Sequence, residues 1–454
     1  MVILRIRRGW MLAAAAVACA AVVGCSRGTS PSKRSVASST PPRTEVTPSP
    51  RRRPKTLAEL RTTDADIVLG NLDGQIAELD RLLSAQPTPS PSLVAKRASL
   101  RYARGRYRGD LEEIDASIQA LEGCVRAAPE DAGCALLLAE QSQSMHRFAR
   151  ARESLARARD LGADRARIAD LDADLDWNAG RYEAAIRAIR NARAERPSSA
   201  TWLRQAQLEH DLGNWDDSER AFEAAEDAVI DPSPIPLAHM YVQHGIALTQ
   251  RGRREEACLY FREAIRRMPS HVAAMEHLAE ALHHLGKDDE AIALYEQVVA
   301  LSDDPEFAHA LAELLAAQGQ RDRAAALAAK AKAGYARLVV KYPEAMYWHA
   351  SEYYADVGEP ARALELLEKN AVLRPNAGSF VALARAQAAV GQWDRARESI
   401  TRALETPVVS AERHAVAAMV YRHEGAVVAA DQHAARAKEI DPTIVVGADP
   451  VRDR

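Results

Sequence analysis

The chain has 454 residues, of which 47% are hydrophobic, 27% charged and 5% aromatic, with 60 Lys and Arg against 63 Asp and Glu. This composition excludes a collagen and a wholly disordered chain, and no stretch beyond residue 25 is apolar over the roughly 20 residues that a membrane-spanning helix needs. The net charge of −3 conceals an asymmetry: residues 1–24 carry +3, residues 26–56 carry +7, and residues 57–454 carry 49 basic against 62 acidic side chains.

Taken in chain order, residues 1–24 have the layout of a secretory signal, with Arg5, Arg7 and Arg8 ahead of an apolar, Ala-rich run from Trp10 to Val23. Ile6 stands where a twin-arginine signal wants Ser or Thr, which weakens that reading of Arg7-Arg8. Val22, Val23 and Gly24 followed by Cys25 resemble the lipobox of bacterial lipoproteins. The resemblance implies that Cys25 becomes the diacylated first residue of the mature chain, and Ser26 behind it implies the outer membrane, facing the periplasm. Several acyl chains on one Cys matter, because a single chain holds a protein only marginally. Residues 26–56 are rich in Ser, Thr, Pro and Arg without periodicity, so 25–56 is expected to be a lipidated, disordered tether. Its charge, with Arg51, Arg52 and Arg53 at the end, suits anionic headgroups or simply solvates a linker.

From residue 57 the chain repeats itself. A turn glycine, an aromatic two residues on and an alanine three beyond recur between amphipathic stretches, clearly at Gly180, Tyr182 and Ala185 and at Gly391, Trp393 and Ala396. Gly252, Gly286, Gly319 and Gly358 keep the Gly and the Ala, while Gly213 and Gly425 are weaker and His146 replaces the Gly altogether. The turns are spaced 34, 33, 39, 34, 33, 39, 33 and 34 residues apart, which makes a block of three repeats duplicated. Pro197, Pro232, Pro269, Pro305, Pro343, Pro375, Pro407 and Pro442 are expected to close each second helix, since Pro cannot continue one. Pro232, Pro234 and Pro236 predict a loop in the first block; in the second, a lengthened helix runs through 324–342.

This pattern resembles the tetratricopeptide repeat, a helix-turn-helix of 34 residues. The resemblance implies an all-α, right-handed superhelical solenoid over 131–442, preceded by irregular N-terminal helical repeats over 57–130 and followed by a tail at 443–454. Within the irregular part, Gly105 and Tyr107 are expected to open a unit whose second helix runs to Pro129, and Gly70 to Pro87 to form a degenerate cap.

Nothing in the sequence has a catalytic layout: there is no phosphate-binding Gly-rich loop, no His-Glu-x-x-His and no Gly-x-Ser-x-Gly elbow. Asp170, Asp172, Asp174 and Asp176 imitate a calcium loop, but Leu175 stands at the turn glycine and Arg181 at the closing acid. Cys124 and Cys134 flank Pro129, so a disulfide and two buried thiols are both open; Cys258 reads as a core thiol.

By the resemblance, first helices line a concave groove that receives a partner. Carried over residue by residue, the groove holds His239, Val242 and Ile246, then Glu276, Glu280, His283 and His284, then Glu306, His309 and Glu313, and then Trp348, Glu352 and Asp356. This predicts an acidic stripe whose aromatic anchor, Trp348, is exposed and whose rim acids, Glu276 and Glu280, steer a basic segment. The Lys, Asn and Arg clamp of chaperone-binding relatives is absent from these positions. No cofactor, metal or nucleic acid is expected. The combined reading is a membrane-anchored scaffold for a segment of another envelope protein; a periplasmic enzyme or metal protein using the His and Glu cluster, and a self-assembling subunit, are the alternatives.

Overall fold

The computed structural model describes residues 60–447, all of whose regular structure is helical. A single helix, α1 (Ala65–Ser84), precedes ten helix pairs. In order these are α2 (Pro91–Arg108) with α3 (Leu111–Ala127), α4 (Ala132–Ser144) with α5 (Phe148–Asp160), α6 (Arg165–Asn178) with α7 (Tyr182–Glu195), α8 (Ser199–Asp211) with α9 (Trp215–Asp227) and α10 (Pro234–Thr249) with α11 (Arg254–Arg267). They continue as α12 (Val272–His284) with α13 (Asp288–Leu301), α14 (Pro305–Ala317) with α15 (Arg321–Lys341), α16 (Pro343–Asp356) with α17 (Pro360–Leu373), α18 (Ala377–Ala389) with α19 (Trp393–Leu404) and α20 (Ala411–His423) with α21 (Val427–Ile440). None of the helices is long and apolar enough to cross a membrane. The signal segment, Cys25, the tether and the end of the tail lie outside the described residues.

The pairing follows from two sequence positions. Gly180 holds φ at 72°, and the N–H of Arg181 donates back to the carbonyl of Asp176 at 2.8 Å, which satisfies an orphan carbonyl at the end of α6. His146 takes the same left-handed conformation, with φ at 56°, a strained choice for a side chain with a Cβ. Its ring is buried, stacks on Phe148 and faces Arg374, so tertiary packing holds the strain. The alanine of the motif is buried in each good repeat, as at Ala185, Ala257, Ala291 and Ala396, where two helices of a pair meet.

Three expectations change. The first paired turn is at Gly109, with φ at 66°, and not at Gly105, which sits inside α2 with Ile114 against its backbone. The cap expected from Gly70 to Pro87 is a single helix that begins earlier: α1 runs straight through Gly70 and Gly74, capped by the Asp64 carboxylate on the Asp66 N–H. Pro305 and Pro343 open α14 and α16 as their first residues, and Pro234 of the expected loop opens α10 in the same way, since a missing N–H there removes no hydrogen bond. The lengthened helix of the second block is α15, 21 residues long.

First and second helices are buried differently. The helix α13 buries only Ala291, Ile292, Tyr295 and Val298, one stripe facing its partners. By contrast α12 buries everything from Met275 to Leu282, polar residues included, because it is covered on both sides. First helices form the inner layer. The solenoid also winds back upon itself. One apolar cluster joins Tyr102, Ile118 and Leu138 to Tyr335, Leu338 and Tyr354, and another joins Ala65 and Tyr107 to Leu237, Tyr241 and Met268. Along the same seam the Ala377 N–H donates to Tyr182 Oη at 2.7 Å across 195 residues, and the Val409 N–H donates to the Asp211 carbonyl at 2.7 Å. A repeat therefore touches its sequence neighbours and a repeat of the next superhelical turn.

Candidate functional site: the inner face of the first helices

The helices α12, α14 and α16 bring most of the predicted groove residues onto the inner layer, but as separate groups. On α12, His277 Nδ1 lies 3.0 Å from Glu276 Oε2 and 3.9 Å from Glu280 Oε2. Burial opposes the imidazolium there, yet the two carboxylates outweigh it and raise His277 above its ordinary pKa. His283 is held by Asp288 at 2.7 Å, and His284 faces Glu280 at 4.0 Å. Between α14 and α16, His309 Nε2 stands 3.6 Å from Glu313 and 3.7 Å from Asp356, while His349 Nδ1 stands 3.3 Å from Glu306. Glu352 is driven well above the ordinary carboxylate range, first by burial and then by Glu306, Glu412 and Asp356. His239, on α10, belongs to none of these groups; burial and then Arg106 and His271 push it down to about 3.

Two predicted roles fail. Trp348 is no exposed anchor: it packs against Leu364, Leu367 and Leu383, and its indole N–H is buried without a hydrogen-bond partner. Glu276 and Glu280 are no rim carboxylates, being 4% and 9% exposed. Both errors have one cause, because a first-helix position that faces open solvent in an isolated repeat is covered here by neighbouring repeats and by the seam. Cys124 and Cys134 are joined by a disulfide, and Cys258 is a buried free thiol.

Trp348 instead lines a cavity of about 150 Å³ between α6, α8 and α10 on one side and α16 to α18 on the other. Trp177, Arg204, Asp211 and Arg374 line it too. Arg204 is fixed by Asp170 at 2.9 Å and by Asp174. Arg374 is buried, which lowers it to about 10, and its guanidinium lies 5.7 Å from the Trp348 ring. Burial alone pushes Asp211 up to about 7, while burial lowers its neighbour His210 to about 4 against the hydrogen bond that His210 Nε2 makes to Gln250 Oε1 at 2.7 Å. The sequence held a signal for part of this lining. Asp174, Gln207, Glu280, Glu313 and Glu352 all stand six residues before their turn glycine, so the register applied to later repeats reaches α6 and α8 as well. Arg374 carries no such signal, because it caps α17 rather than lying on a first helix.

Family models described as tetratricopeptide repeat match residues 171–233, 242–306 and 379–408. The chain is a tetratricopeptide repeat protein. These matches fall on α6 to α14 and α18 to α19, where each turn glycine is in place and only Ser218 replaces the packed alanine. No curated protein matches the chain. Among solved structures it is similar to a human IFIT1 dimer with m7Gppp-AAAA, at 16% identity over 84% of this chain and 98% of that one, with a TM-score of 0.38. It is also similar to a tetratricopeptide repeat protein from Parabacteroides merdae, at 20% identity over 56% and 99% of the two chains and a TM-score of 0.35. The pilF protein of Pseudomonas aeruginosa follows at 18% identity, 46% and 95% coverage and a TM-score of 0.28. As a tetratricopeptide repeat protein the chain is a scaffold for protein–protein interaction, a fold that is typically non-catalytic.

Proposed function

We propose that this scaffold is anchored to the bacterial outer membrane through acylated Cys25, faces the periplasm, and holds a segment of another envelope protein against its inner layer. The observation that carries the reading is the concentration of acidic and histidine side chains that three consecutive first helices, α12, α14 and α16, bring to one layer. Such a surface recognises a segment rich in Lys and Arg, because complementary charge steers and selects a basic ligand at a cluster of carboxylates. The side chains of Glu313 and Asp356 keep 34% and 18% of their surface open and offer the entry. Two further observations support the setting. Residues 22–25 have the lipobox pattern, and a disulfide such as Cys124–Cys134 persists in an oxidising compartment.

The test uses a photo-crosslinking residue in cells of the source organism. Placed at His284 or Glu352, on the inner layer, it is expected to capture an envelope protein; placed at Val372 or Leu259, which point outward from second helices, it is expected to capture none. Capture from the outer positions alone overturns the inner-layer reading. The anchor is tested separately: Cys25→Ser is expected to move the protein from the detergent phase to the aqueous phase, and unchanged partitioning refutes acylation.

A further inference from the structure

The Nε2 atom of His309 is one of several buried side-chain atoms without a hydrogen-bond partner among the described residues, and it is the imidazole nitrogen that faces two carboxylates from different repeats. The residue is 6% exposed, and this nitrogen makes no hydrogen bond and reaches no solvent. An unsatisfied polar atom in such a place costs roughly 1–3 kcal/mol. Two carboxylate oxygens stand close to it, Glu313 Oε1 at 3.6 Å, one helical turn along α14, and Asp356 Oδ2 at 3.7 Å, from the end of α16 in the next repeat. All three ligand atoms fall within 4.8 Å of one another.

Those distances are too long for charge-assisted hydrogen bonds, which run to about 2.7–2.9 Å. They match a different arrangement. A divalent zinc-class ion binds imidazole nitrogen and carboxylate oxygen at about 2.0–2.2 Å, so the edges of its coordination tetrahedron measure roughly 3.3–3.6 Å. The two edges from His309 are thus spaced like those between ligands around a common centre, and the third edge lies within 4.8 Å. A second group, Glu276, His277 and Glu280, makes the contrast: its imidazole has closed to 3.0 Å on a carboxylate, and all three members belong to one helix.

We propose that His309, Glu313 and Asp356 form a binding site for a divalent cation of the zinc class, with one nitrogen and two oxygen ligands drawn from two repeats. The ion removes the unpaired nitrogen and offsets the negative charge around Asp356, the same charge that, after burial, helps to raise Glu352. Glu313, with a third of its side chain exposed, marks the side from which a fourth ligand arrives, either water or a donor group of a bound segment. Because α14 and α16 belong to successive repeats, the ion also clips them together and raises stability by linkage. The inference stands on these three side chains and does not rest on the identity of any protein partner.

The experiment is calorimetric titration of the tag-free full-length protein with Zn2+ at neutral pH after treatment with a chelator. One Zn2+ per chain is expected, with a rise in the melting temperature. His309→Gln and Asp356→Asn, both close in shape to the residues they replace, are each expected to weaken binding by at least about 100-fold, the upper end of what loss of a mere supporting shell residue costs. The paired change His283→Ala and His284→Ala is expected to leave that affinity unchanged, since those rings belong to other contacts. Circular dichroism confirms that each variant is folded. Absence of Zn2+ uptake by the wild-type chain overturns the site. So does undiminished binding by folded His309→Gln and Asp356→Asn, or a loss confined to the His283 and His284 variant.

Discussion

At Trp348 a single side chain separates two accounts of the protein. An exposed anchor could be truncated with little effect on folding, but this indole packs against Leu364, Leu367 and Leu383 and walls a cavity. Trp348→Ala is therefore expected to lower unfolding free energy by about 3 kcal/mol in urea titrations. Trp348→Phe is expected to cost far less, because it keeps the ring and removes a buried N–H that has no partner. Asp211, in the same cavity, supplies a test by pH. Burial lifts it from 3.8 to about 7, so the folded chain binds its proton before the unfolded chain does. Stability from this group thus rises as pH falls from about 7 to about 4 and is flat below. Asp211→Asn lacks that dependence. It is expected to be more stable than wild type by on the order of 2 kcal/mol above pH 7, with the difference vanishing near pH 4 in melts at several pH values. His210 beside it has the opposite sign: lowered to about 4, it withdraws stability as pH falls below about 6.5.

At the scale of elements, the repeat was legible where two local rules coincide. A turn glycine with positive φ and a small residue at the helix crossing occur together at Gly180 and Ala185 and again at Gly391 and Ala396, so both units were placed from sequence. In the N-terminal part the rules part company. Gly105 precedes Tyr107 as a turn glycine should, yet it serves as a close-packing residue inside α2, and Gly109 four positions later makes the turn. A glycine admits a left-handed backbone and a close helix approach alike, and only the packing says which use is made of it. Gly245 is a second instance of packing use: a Cβ there falls 2.4 Å from the Phe261 ring, so α10 and α11 approach over bare backbone. Gly245→Ala is expected to cost about 2 kcal/mol through overpacking, visible as a lower denaturation midpoint at unchanged slope.

The whole molecule departs from a simple solenoid, in which stability is a sum over neighbouring repeats. Here the second superhelical turn lies on the first, and apolar clusters and hydrogen bonds cross the seam between residues some two hundred positions apart. The seam makes folding more cooperative than a chain of repeats requires. Tyr182→Phe tests it, because it strips the Ala377 N–H of its acceptor in a buried place and is expected to cost roughly 1–3 kcal/mol. Combined with Arg374→Ala, it is expected to let the turns part, which solution scattering reads as a larger radius of gyration with helix content unchanged. A radius equal to wild type in the double variant would show the apolar clusters alone hold the seam.

By itself the sequence determined the helix pairs from about residue 132 onward and their period, because turn geometry, helix amphipathicity and the crossing alanine are local and act within some 34 residues. It determined which first-helix positions carry acids and histidines and so named His309, Glu313 and Asp356, but not His277, His349 or Arg374. Only the tertiary structure decided what those residues do. Whether His309 meets Asp356, whether Trp348 is exposed, and whether Glu276 is a rim charge or a buried partner of His277 all depend on how far successive repeats rotate. That rotation is the sum of many small packing preferences. No single residue encodes it, and a small change in each repeat decides whether the next turn of the superhelix closes upon the last.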